Sequence, residues 1–107
     1  MPWTVPGKLQ SNEPVSDADL AEAVHYYIRT MQYYVKQPKS PLVNPTKQHR
    51  LIDEGYLVLN AAERRGLQRT LELNTLGRMR ALLERILQQM QSRGVAYVSP
   101  SNANLRA

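Results

Sequence analysis

The sequence predicts an all-α fold, and three observations carry that prediction. Leu76, Met79, Leu83, Ile86, Leu87 and Met90 recur at i, i+3, i+4 and i+7, which puts them on one face of a helix. At 100° per residue, Leu20, Val24, Tyr27, Ile28, Met31, Tyr34 and Val35 share one face of another. Both stripes are bounded by helix punctuation: Ser16 and Asn74 before them, Pro38 and Gly94 after them. The expected architecture is a small bundle of three helices, or four if the middle one breaks, with extended proline-containing arms at both ends. One domain suits 107 residues. A chain of this size buries roughly 65% of its unfolded surface, enough for a core without staples.

Residues 1–15 are polar and rich in proline, and they read as an extended N-terminal arm. Trp3 within "PWTVP" is unusual for a free tail, because a large apolar ring in water finds cover. The helical domain spans 16–94. Its first helix is expected over 17–36, with Ser16 as N-cap and Asp19 three residues on. Val15 and Leu20 are placed to form a hydrophobic staple, and the acids of the first turns suit the helix dipole. Pro38 ends this helix.

The connector "QPKSPLVNPTK" leads to a second helix expected over 46–73, either continuous or broken near Gly55 or Asn60. "YLVLN" at 56–60 is too short to decide between strand and buried helix. Gly66 falls on the apolar side of this helix, where it would admit a close neighbour. The third helix is expected over 75–92 with Gly94 as its C-terminal cap. Residues 95–107 read as an extended C-terminal tail.

The pairs Tyr26-Tyr27 and Tyr33-Tyr34 lie two helical turns apart. Tyr27 and Tyr34 belong to the core stripe. Tyr26 and Tyr33 point roughly 100° away, on a strip shared with Ala23, Thr30 and Gln37. Three readings of this strip compete: packing beneath the arms or another helix of the same domain, contact with another protein, and stacking of nucleic-acid bases. Tyrosine suits protein contacts because it buries area at low entropy cost and keeps a hydroxyl. Trp3, Tyr26, Thr30, Tyr33 and Gln37 are the candidate protein-interface residues.

The chain is basic, with 14 Lys plus Arg against 9 Asp plus Glu. Residues 36–50 concentrate the excess: Lys36, Lys39, Lys47 and Arg50 occur there with no acid. Arg64, Arg65, Arg78 and Arg85 fall on outward faces of the second and third helices. These eight cations are the candidate nucleic-acid contacts, since rows of arginine can meet phosphates. The interspersed Glu63, Glu72 and Glu84 dilute the positive surface, and a solvated face is the plainer reading. A helix-turn-helix reading of "LNAAERRGLQRTLELNTLGRMRALLERI" places few base-reading groups on the third helix.

Several chemistries are disfavoured. There is no cysteine, so disulfides, thiol catalysis and thiolate metal sites are excluded. His25 and His49 fall on separate elements and have no recognisable nucleophile beside them. No phosphate-binding glycine loop, zinc-protease motif or serine elbow occurs. No catalytic residue, metal, cofactor or small-molecule substrate is expected. Neither a signal peptide nor an 18-residue apolar run is evident, so an intracellular location is expected, in the cytoplasm or in a particle assembled inside the cell. The reading that follows is a non-catalytic structural or adaptor subunit binding neighbouring proteins, or copies of itself, through the aromatic strip and the arms. The alternative is a small basic nucleic-acid-binding or regulatory protein.

Overall fold

In the computed structural model, which describes residues 1–41 and 43–94, the chain opens with a 3-10 turn at Pro2–Thr4. Helix α1 (Val5–Gln10) continues it, followed by α2 (Asp17–Lys36) and α3 (Pro45–Arg64). A second 3-10 turn at Leu67–Arg69 then leads to α4 (Thr75–Ser92). No strand occurs among the described residues. The fold is an all-α bundle, as the two apolar stripes require.

Each helix start has an identifiable cause. The Ser16 side chain accepts the backbone N–H of Asp19 at 3.1 Å, and Asp17 and Asp19 lie at the positive end of the α2 dipole. Asn44 does the same for α3, accepting from the Lys47 N–H at 2.9 Å, while Pro45 takes the first helical position, where a missing N–H does no harm. Helix α4 begins after Asn74, which is left-handed at φ 67° and makes no side-chain cap. Gly94 closes it at φ 75°, the conformation glycine adopts without a Cβ clash.

The long helices α2, α3 and α4 each pack on the other two. Three cross-helix contacts fix their directions. Arg65 at the end of α3 donates to the Val15 carbonyl and to Asp17 at the start of α2. Arg80 near the start of α4 bonds Glu63 near the end of α3. Gln89 near the end of α4 donates to the Val35 carbonyl near the end of α2 at 3.4 Å. Helices α2 and α4 therefore run one way and α3 the other. Leu20, Met31, Ile52, Leu59, Met79, Leu83, Ile86 and Met90 are fully buried between them. Burying each of these is worth roughly 1.5–3 kcal/mol.

Several expectations need correction. The segment 1–15 is not an extended arm, because residues 2–10 are helical and Val5 and Val15 belong to the core. The 3-10 turn lies on α2 and α1 lies mainly on α3, so the segment crosses the seam between the long helices. The second long helix neither breaks at Gly55 or Asn60 nor reaches 73. It runs continuously through 56–60, where Val58 and Leu59 are buried, and stops at Arg64 because Gly66 turns left-handed at φ 68°.

The two glycines exchange the roles expected of them. A Cβ on Gly66 would meet nothing within 4 Å, whereas one on Gly55 would lie 2.6 Å from Met31 Cε and 2.8 Å from Leu83 Cδ2. At Gly55 the side chains of Met31 on α2 and Leu83 on α4 thus press against the α3 backbone. Leu73 lies beyond the end of α3 and is exposed. The expected tail at 95–107 lies outside the described residues.

Candidate protein-docking groove

The tyrosine pairs divide between core and surface, as the helical spacing requires. Tyr27 is buried, Tyr26 and Tyr34 are half-buried, and Tyr33 is exposed. Neighbouring rings meet edge to face: Tyr26 and Tyr27 have centroids 5.1 Å apart at 89°, Tyr33 and Tyr34 6.3 Å apart at 73°. Ala23, expected on the outer strip, is instead fully buried, because the small side chain lets the bundle close over it.

Trp3 packs on this helix rather than hanging free. Its ring centroid lies 6.1 Å from that of Tyr26, tilted by 52°, and the residue is still 55% exposed. The 3-10 turn at Pro2–Thr4 holds it there, since Thr4 returns two hydrogen bonds to the Met1 carbonyl, from its N–H and its hydroxyl. Trp3 and Tyr26 thus form an aromatic edge that is half covered by its own chain and half presented outward.

Below this edge lies an open groove of about 350 Å³ between the N-terminal turn, α2 and α3. Trp3, Tyr26, Thr30 and Tyr34 line one side, and Lys47, Arg50 and Glu54 the other. A second hollow of about 570 Å³ continues between α1 and α3 and shares Trp3, Arg50 and Glu54 with the first. Thr30 donates its hydroxyl to the Tyr26 carbonyl at 3.1 Å, so its methyl is left for the groove wall.

A polar chain braces the floor. The Tyr27 hydroxyl donates to Glu54 Oε2 at 2.7 Å, and Arg50 Nε donates to Glu54 Oε1 at 2.8 Å. Burial pushes the Tyr27 hydroxyl far above its ordinary range, and the bond to Glu54 and its charge push the same way. Tyr34 is shifted upward as well, chiefly by burial. The bond to Glu54 holds Arg50 more firmly charged. A tyrosine held protonated in this way is a structural donor at neutral pH.

The structure distributes the sequence-predicted residues unevenly. Trp3, Tyr26 and Thr30 come together in the groove. Tyr33 and Gln37 do not line it: the Tyr33 hydroxyl pairs with Ser40 Oγ at 3.0 Å, and Gln37 caps α2 through its N–H to the Tyr33 carbonyl. Lys47 and Arg50, expected as nucleic-acid contacts, join the aromatic residues in the same groove. Lys36 and Lys39 are exposed beside the connector. Arg65 is not free for a partner, because it clasps Val15 and Asp17. Arg64, Arg78 and Arg85 are exposed.

Tyr34, Leu51 and Glu54 also line the groove and were not foreseen. The only local signal for them was the i, i+4 spacing of Arg50 and Glu54. Among the described residues, no three His, Asp or Glu side chains gather as a metal site needs, and no helix is long and apolar enough to cross a membrane. Comparison with protein-family models, curated proteins and solved structures finds no match to this chain.

Proposed function

We propose that this chain is a non-catalytic adaptor or structural subunit that docks a neighbouring protein in the groove beneath Trp3 and Tyr26. One observation carries the reading: the largest aromatic residue of the chain rests half exposed on a tyrosine, at the rim of an open hollow. Tryptophan and tyrosine at the centre of a contact, with a polar surround, are the composition of energetic hot spots in protein interfaces. The ring edges, the Thr30 methyl and Leu51 supply apolar area. Lys47, Arg50 and the hydroxyls supply a polar rim.

Light-scattering mass of the nuclease-treated protein, copurified with whatever it binds, tests this at low and high salt. A complex that survives high salt and is lost in the double variant Trp3→Ala, Tyr26→Ala supports the reading. A monomer at every salt concentration and protein concentration opposes it.

A second reading, binding of nucleic acid, is favoured by the exposed Arg64, Arg78 and Arg85, which form no ion pair among the described residues. Affinity built on phosphates falls steeply with salt, so the same measurement separates the two.

A further inference from the structure

Charge is distributed unequally along the bundle. The directions of the helices bring the end of α2, the start of α3 and the end of α4 to one end of the molecule. From Thr30 to Ile52 the sequence has no carboxylate, and from Arg85 to Gly94 it has none either. Lys36, Lys39, Lys47, Arg50 and Arg93 are all at this end, and all are exposed. The opposite end mixes charges: Asp17 pairs with Arg65, and Glu63 with Arg80.

The aromatic groove opens beside the cationic end. Its second hollow prolongs it along α3 from Thr46 to Leu57, which is about 16 Å at helical rise. A trough that long accommodates about five residues of extended chain. Lys47 forms no ion pair among the described residues, and Arg50 engages Glu54 through Nε while its side chain remains 81% exposed. The N-terminal end of the 20-residue helix α3 adds its own positive dipole beside them.

Resting on the docking role above, we propose that the partner presents an extended, acidic protein segment. Its carboxylates lie against Lys36, Lys39, Lys47 and Arg50, and its apolar side chains lie against Trp3 and Tyr26. Two observations favour an acidic polypeptide over a nucleic-acid strand. Trp3 and Tyr26 are tilted at 52°, and the tyrosine pairs are edge to face, so no parallel platform is offered to successive bases. Asp53 and Glu54 also line the trough, where closely spaced phosphates would meet them, whereas a peptide can place its charges selectively.

A selection from displayed random 12-residue peptides, on the full chain at physiological salt, tests this. The account expects peptides enriched about twofold or more in Asp and Glu and depleted in Lys and Arg. Lys36→Glu, Lys39→Glu and Lys47→Glu together should weaken their binding at least about tenfold, which is about 1.4 kcal/mol. Arg64→Glu, Arg78→Glu and Arg85→Glu make the same change of net charge elsewhere and should leave binding within about twofold. These are exposed positions, so both variants should fold.

Equal loss in the two triple variants would reduce the effect to net charge and overturn the proposal. Enriched peptides that are neutral yet lost in Trp3→Ala, Tyr26→Ala would overturn the acidic partner while leaving the docking role standing. If no peptide is enriched and a 12-residue oligothymidylate binds instead, in a way that Lys47→Glu abolishes, the site belongs to nucleic acid and both readings fall.

Discussion

The hydroxyl of Tyr27 on α2 donates to Oε2 of Glu54 on α3 at 2.7 Å, and this bond joins the two helices at the floor of the aromatic groove. The pair lies 27 residues apart in sequence. It satisfies the hydroxyl of the tyrosine that helical spacing turns inward, while the neighbouring Tyr26 carries Trp3.

This bond predicts alkaline destabilisation. The folded state keeps the Tyr27 proton above the ordinary value of 10.0, while the unfolded state releases it. Stability from this group is therefore complete below pH 10 and declines as pH rises beyond it, by up to about 1.4 kcal/mol per pH unit. Tyr27→Phe should lower stability at pH 7 by about 1 kcal/mol and flatten the decline between pH 10 and 11. Urea unfolding midpoints at pH 7, 10 and 11 give the comparison. An unchanged slope in the variant would assign the decline to other groups.

The contrast between two glycines is a second prediction. Gly77 is helical and a Cβ there would meet nothing within 4 Å, so Gly77→Ala should raise stability by about 0.5–1 kcal/mol. At Gly55 the same helix-forming gain is opposed by overlap with Met31 and Leu83, both fully buried. Overpacking of this kind costs about 1–3 kcal/mol, so Gly55→Ala should lower stability by about 1 kcal/mol net. Thermal midpoints should move in opposite directions, each by about 4–8 °C per kcal/mol.

The three long helices were legible in the sequence because their signals are local. The Leu76–Met90 stripe, the Ser16 cap and Pro38 each act within a few residues. What failed was decided by tertiary contact. Helix α1 is only six residues long and contains Pro6 and Gly7, so its helicity comes from laying Val5 on the core and not from propensity. The closeness of α2 and α4 to Gly55 has no local signature, and the left-handed turn at Gly66 looks the same as a packing glycine. The groove was half legible. Tyr26 and Thr30 are legible from helical spacing and Trp3 as a large apolar ring in a polar, proline-bearing segment, while Lys47, Arg50 and Glu54 join them only because α3 folds back against α2.

Arg65 offers a third prediction. Its ion pair with Asp17 is long at 3.3 Å and well exposed, which makes it worth less than about 1 kcal/mol. Its bond to the Val15 carbonyl is part-buried and charge-assisted, worth about 1.5 kcal/mol or more. Arg65→Ala should therefore cost about 1–2 kcal/mol, and Asp17→Asn only a few tenths. Comparable losses in the two variants would place the stabilisation in the ion pair.

Trp3 is the only tryptophan of the chain, so its emission reports on the groove. Tyr26→Ala removes the ring on which it rests. Acrylamide quenching of Trp3 should rise in that variant while far-ultraviolet circular dichroism stays the same. Tyr33→Ala should leave quenching unchanged, because the Tyr33 hydroxyl engages Ser40 in the connector.

The central claim is that the surface beside Trp3 and Tyr26 meets another protein. Its most direct test is photocrosslinking from position 30, inside the groove, using benzoylphenylalanine in place of Thr30 and expressing the chain in its own cells. The account predicts an adduct that survives nuclease, is destroyed by protease, and does not form from the same group at position 85 on the outer face of α4. An adduct destroyed by nuclease, or one formed from position 85 and not from position 30, would contradict it.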